Sequence, residues 1–191
     1  MYNLEENVLI YGLKKRDKDS FEELVELYKD RIYNVTIGMI QDVEDAEDLA
    51  QEVFVEVFNS IGDFREDSSL NTWLYRIAVN KSLELIRKRS RKKRFGFMTS
   101  IFAETKEMQI PDFEHPGVKL ENKERAAVMF KAIAKLPETQ RTAFTLSKVE
   151  EFSYKEISEI MKVSVASVES LLFRAKANLK KYLENYYFDK I

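Results

Sequence analysis

Between Phe21 and Val35 the apolar residues Phe21, Leu24, Val25, Tyr28, Ile32 and Val35 recur at helical spacing. That period gathers them on one face, so the segment is expected to form an amphipathic helix. A second such face follows in Val43, Ala46, Leu49, Ala50, Val53, Val57 and Phe58, and Asp42 and Asp45 suit the unpaired N–H groups at its start. The pattern breaks from Ser60 to Leu70, where Gly62, Asp63, Asp67, Ser68 and Ser69 favour turns. A third helix is predicted over roughly Asn71 to Arg89, and short connections among three helices point to a bundle.

Beyond Arg94 the periodicity fades through Gly96, Thr99, Ser100, Pro111, His115, Pro116 and Gly117, and this stretch reads as a linker. Helical spacing resumes from Leu120 through Ala126, Phe130, Ile133 and Leu136, and Pro137 can open the next helix. Ser153 and Glu156 stand at capping-box spacing before a short helix that carries Ile157 and Ile160 and ends by Met161. After Lys162 and Val163, Ser164 can cap a longer helix with Val168, Leu171, Leu172, Ala175 and Leu179 on its inner face. Helix, tight turn, longer helix is the order of a helix-turn-helix, whose second helix enters the DNA major groove by its N-terminal part. Ser164, Ser167 and Ser170 are small enough for close approach there, and Arg174, Lys176, Lys180 and Lys181 could meet phosphates. A plain helical hairpin with a solvated face would show the same pattern.

Composition narrows these readings. With 5 Gly and 3 Pro in 191 residues, the chain lacks the turn residues of a sandwich or barrel, so an all-α fold is expected. The absence of cysteine excludes disulfides and thiolate metal sites and is compatible with a reducing compartment. No run of about 18 apolar residues occurs, and Met1 to Ile10 lack a basic stretch, so a cytoplasmic protein without membrane insertion is expected. His115, the single histidine, falls in the linker, and no glycine-rich phosphate loop is present. An enzyme is therefore not expected, nor any metal or cofactor.

The formal net charge of −2 conceals two opposed patches. Asp42 to Glu52 holds six acidic residues and no basic one, with the apolar positions already turned inward. Arg87 to Arg94 holds seven cations in eight positions, a composition suited to DNA phosphates through counterion release. The acidic face is either simply solubilising or a docking surface.

Three segments, Leu136-Pro137-Glu138-Thr139-Gln140-Arg141, Phe152-Ser153-Tyr154-Lys155-Glu156-Ile157 and Val168-Glu169-Ser170-Leu171-Leu172-Phe173-Arg174-Ala175, resemble region four of the sigma-70 family. Asp45-Ala46-Glu47-Asp48-Leu49-Ala50-Gln51-Glu52-Val53-Phe54 is similar to the region-two helix of that family, and Phe64 to Asn80, around Asn71-Thr72-Trp73-Leu74-Tyr75-Arg76, resembles its minus-ten melting segment. The extracytoplasmic-function (ECF) subfamily is the best fit, because its members consist of these two regions and a linker.

The resemblance implies two small helical domains joined by a flexible linker: a region-two domain at 1–95, a linker at 96–119 and a region-four domain at 120–191. It implies an RNA polymerase sigma factor that binds core, reads the minus-thirty-five and minus-ten promoter elements and promotes DNA melting. Asp42, Asp45, Glu47, Asp48, Gln51 and Glu52 would dock on the clamp helices of the largest polymerase subunit. Region four would meet the flap of the second-largest subunit. Phe64, Arg65, Asn71, Arg76, Asn80 and Lys81 would contact the minus-ten element, where cations hold phosphates and a pocket takes an unstacked base. Ser164, Ala166, Ser167, Ser170, Phe173 and Arg174 would contact the minus-thirty-five element. Glu169 departs from the family's usual Lys or Arg and would either accept from a cytosine amino group or reduce affinity. Promoter DNA and an anti-sigma factor complete the implied partners. Trp73, beside Leu74 and Ile77, is read as core rather than as a stacking platform. The competing reading is a helix-turn-helix regulator with an unrelated N-terminal sensing domain.

Overall fold

The computed structural model describes the backbone of residues 4–96 and 120–188 and the side chains of residues 5–92 and 125–184. Among these residues all regular structure is helical: α1 (Leu4–Lys14), α2 (Lys18–Ile40), α3 (Val43–Ser60), α4 (Leu70–Gly96), α5 (Leu120–Ala134), α6 (Glu138–Lys148), α7 (Tyr154–Met161) and α8 (Val165–Phe188), with a 3-10 turn at Ile61–Asp63. The expected all-α class is what the chain adopts. The greater part of the linker, including His115, lies outside the described residues.

Local chemistry sets the helix ends. The Asp17 carboxylate accepts from the Ser20 N–H at 2.9 Å and opens α2, and Asp42 does the same for α3 by accepting from the Asp45 N–H. The Ser69 hydroxyl accepts from the Thr72 N–H at the start of α4. Ser153 and Glu156 form the complete capping box expected for α7: the Ser153 N–H donates to Glu156 Oε2 at 2.8 Å and the Glu156 N–H to Ser153 Oγ at 3.3 Å. Lys162 ends α7 in the left-handed region at φ 54°, and Ser164 then caps α8 by accepting from the Ser167 N–H. Without glycine at this turn, the backbone carries a strain that a Cβ makes worse.

Helix α1 adds to the predicted set. Its Leu9, Ile10 and Leu13 are buried, and the Glu6 carboxylate accepts from the Leu70 N–H at 3.1 Å, satisfying an end group of α4. Helices α2, α3 and α4 pack on one another as the N-terminal bundle, with α1 against α2. In the C-terminal half, α8 lies across α5, α6 and α7. The Asn178 amide donates to Gln140 Oε1 at 2.8 Å and ties α8 to α6, so Gln140 of the Leu136–Arg141 segment serves the fold.

The two halves share a core. Helix α2 contacts α5 and α6, α4 contacts α7, and a single apolar cluster joins Val35, Met39, Leu74 and Tyr75 to Ala143, Leu146, Phe152 and Ile157. Burying the larger of these side chains, such as Met39, Leu74 and Leu146, contributes about 1.5 to 3 kcal/mol each. The contact is therefore an appreciable part of the stability of this arrangement.

Candidate nucleic-acid and polymerase interfaces

The helix-turn-helix face is open. Ser164 at the cap of α8 and Ala166, Ser167, Ser170, Phe173 and Arg174 on its N-terminal half are all exposed, while Val168, Leu172 and Ala175 on the opposite side are buried. Phe173 is 76% exposed, an unusual state for a free-standing aromatic and a ready apolar contact for a thymine methyl. The Arg174 Nε donates to the Ser170 carbonyl at 3.2 Å, which lays the guanidinium along the helix beside Glu169 and Phe173. Short α7 buries Ile157 and Ile160 and braces this face from behind.

The expected minus-ten residues are placed less uniformly. Arg65 is exposed near Asp67, at 3.4 Å, and Asn80 is exposed on α4 beside Arg87 and Arg91. Lys81 is half-buried between Glu52 and Glu56 of α3, at 3.7 and 3.6 Å. Phe64 is only 4% exposed: its ring packs on Trp73 with centroids 5.0 Å apart, and the Lys14 ammonium lies over its face. As placed, Phe64 offers no surface to a base. Trp73 is partly buried against the same core, in keeping with the core reading. Arg76 Nη2 donates to the Glu159 carbonyl of α7 at 3.1 Å, and its Nε, like Asn71 Oδ1, is buried without a hydrogen-bond partner. A buried polar atom left without a partner costs about 1 to 3 kcal/mol.

On α3, Glu47, Asp48, Gln51 and Glu52 are exposed. Asp42 serves the cap, and Asp45 is ion-paired to Arg89 of the basic run. The outward acidic face is therefore real, but its two ends already meet cations of α4. Arg91 and Lys92 are exposed.

Sequence reasoning missed Arg31 and Glu150. Arg31 Nε donates to Glu150 Oε2 at 2.9 Å, and the Tyr75 hydroxyl donates to the same oxygen. Burial, followed by this bond, pushes the Tyr75 phenol far above its ordinary value, so it stays a proton donor. No local signal could have exposed the contact, because Glu150 is 119 positions from Arg31 and 75 from Tyr75.

These features define an all-helical protein that presents a helix-turn-helix on one half and opposed acidic and basic helices on the other. Comparison with known proteins makes the class specific. The family model Sigma-70 region 2 matches residues 24–92, and the model Sigma-70, region 4 matches residues 126–179. The chain is 34% identical to the RNA polymerase sigma-H factor of Pseudomonas aeruginosa, with 92% of each chain covered. It is 33% identical to the ECF RNA polymerase sigma factor SigW of Bacillus subtilis, over 92% of this chain and 95% of that one. Among solved structures, the sigma factor RpoE in complex with the anti-sigma factor NepR from Bartonella quintana shares the fold, with a TM-score of 0.68 at 23% identity over 86% of this chain and 96% of that one. CnrH in complex with the cytosolic domain of CnrY does so with a TM-score of 0.69 at 21% identity, over 94% and 97%. The chain belongs to the sigma-70 family, in its extracytoplasmic-function branch, and is a polymerase-binding, promoter-recognising sigma factor. The region-two match over the N-terminal half disfavours the alternative of an unrelated sensing domain.

Proposed function

We propose that this sigma factor divides its work between residues 1–95, which dock on polymerase core and open the minus-ten element, and residues 120–191, which read the minus-thirty-five element, with 96–119 joining them. The observation that carries the reading is the recognition face of α8: Ser164, Ala166, Ser167, Ser170, Phe173 and Arg174 are exposed together on a helix held by a tight, capped turn. That is the arrangement a major groove requires. Glu47, Asp48, Gln51 and Glu52 supply the core-docking face, where opposite charge guides register and association. Arg65, Asn80 and the Arg87–Arg94 run supply cations and polar groups to the opened strand.

The protein acts in the cytoplasm and catalyses nothing itself; no helix among the described residues is long and apolar enough to cross a membrane. An anti-sigma factor is its proposed regulator, since RpoE of similar fold is bound to one. The test is transcription with purified core. Glu47→Lys with Asp48→Lys, both exposed on α3, should weaken core binding in a low-salt titration while helical content stays the same. Asn80→Ala should lower run-off transcription from a linear promoter more than from one carrying a pre-melted bubble, because the bubble removes the unstacking cost. Unaltered core affinity would end the docking assignment, and equal loss on both templates would end the melting assignment.

A further inference from the structure

We propose that helix α1 sets the loop at 65–69 through two positioning residues: Lys14 holds its apex and Glu6 its exit, so that Arg65 and Asn71 meet the opened strand in a preset arrangement. The brace stands on its own contacts; its effect on promoter opening rests on the minus-ten assignment made above.

Residues 65–69 carry no regular structure between the 3-10 turn and α4, and Arg65, Glu66 and Asp67 are exposed. At the loop's entry, Phe64 is buried against Trp73, and the Lys14 ammonium lies 5.8 Å from the centroid of its ring. At the apex, Glu66 stands in the left-handed region at φ 60°. A residue with a Cβ holds that conformation only where its surroundings fix it. The same Lys14 ammonium donates to Glu66 Oε1 at 2.6 Å. At the exit, the Ser69 hydroxyl serves the Thr72 N–H, and the Leu70 N–H has no acceptor within its own helix. The Glu6 carboxylate supplies one at 3.1 Å. Glu6 and Lys14 are a little over two helical turns apart on α1, so one rigid element grips the loop at two separate points.

Stabilising the fold does not account for these contacts. The Lys14 and Glu66 side chains are 32% and 45% exposed, and an ion pair so open to water adds little to stability. Helix α1 is already fastened by Leu9, Ile10 and Leu13, which share one core with Ile61, Phe64 and Leu70. What the polar pair fixes is a loop without a helix of its own, whose conformers multiply once its apex is free. Strand opening needs that loop ready, because apparent affinity is the intrinsic one reduced by the fraction of molecules in the competent form.

Because the sequence has no cysteine, Asp67→Cys places a single nitroxide spin label on the loop of the full chain. In that background Lys14→Glu and Glu66→Lys should each sharpen the spectrum, the sign of a looser loop, and the two together should restore its width, all with unaltered helical content. Glu6→Ala should sharpen it as well, and Glu6→Gln, which keeps an acceptor oxygen, should do so less. With purified core, each unlabelled charge reversal should open the minus-ten region of a linear promoter about fivefold less, as when the competent fraction falls to about a fifth. The double reversal should open it as the original protein does. Net charge alone predicts the opposite sign for Glu66→Lys, since an added cation attracts phosphate. Better opening by that variant, with additive effects in the pair, would overturn the brace, and so would unchanged spectra in every variant. Sharpened spectra with undiminished promoter opening would instead establish the brace and overturn the minus-ten assignment of this loop.

Discussion

Gly38 of α2 lies so close to Thr145 of α6 that a Cβ added to the glycine would stand 2.7 Å from Thr145 Cγ2 and 3.1 Å from its Oγ1. Inside an isolated helix, Gly→Ala is favourable by roughly 0.5 to 1 kcal/mol. Here the methyl has no room, because Thr145 is itself buried. Gly38→Ala should therefore destabilise the full chain by about 1 to 3 kcal/mol in chemical unfolding, the usual cost of overpacking. Adding Thr145→Ala should recover part of that loss, and a strictly additive double mutant would show that the two residues are not in contact.

Phe64 tests whether a residue of the melting segment acts on DNA or on the fold. With its ring packed on Trp73 and 4% exposed, Phe64→Ala should cost about 3 to 5 kcal/mol of stability in the protein alone. Thermal or denaturant unfolding without DNA measures this. A variant with unchanged stability and impaired promoter opening would return Phe64 to the base-contacting set.

Lys162 occupies the left-handed turn between α7 and α8 at φ 54°. A β-branched residue tolerates that conformation poorly, so Lys162→Val should destabilise by about 1 to 2 kcal/mol. Lys162→Gly should be neutral or slightly stabilising, since relief of strain is offset by the greater freedom of glycine in the unfolded chain. Equal loss in both variants would mean that the lysine side chain, not the backbone, matters at the turn.

Arg174 and the basic run should fail in different ways. Arg174→Ala should cost about 1 to 3 kcal/mol on the preferred minus-thirty-five sequence and little on scrambled DNA, as expected for a base-edge contact. Neutralising Arg91 and Lys92 should weaken holoenzyme binding to both DNAs alike. It should also flatten the salt dependence of log affinity by about one unit for each phosphate that is no longer neutralised. If Arg174→Ala affects both DNAs equally, with the same change in salt slope, Arg174 is a phosphate contact.

The sequence alone determined the helical class, the order of most helices, the complete Ser153–Glu156 cap and the helix-turn-helix with its outward serines. All of these depend on neighbours within one or two helical turns, and a period of 3.6 residues makes such relations visible along a chain. Family motifs added the two-region plan. Helix α1 escaped because its Leu9, Ile10 and Leu13 draw their meaning from a core assembled by later residues, and because Glu6 caps a helix that begins 64 positions on. Tertiary structure alone decided that Phe64 faces Trp73, that Asp45 meets Arg89, and that Glu150 is buried between Arg31 and Tyr75. A charged residue in a sequence looks the same whether water or a distant partner satisfies it. Only the packing of α7 on α4 and α6 on α2 fixes which of the two applies, because desolvation and pairing depend on everything that surrounds the group.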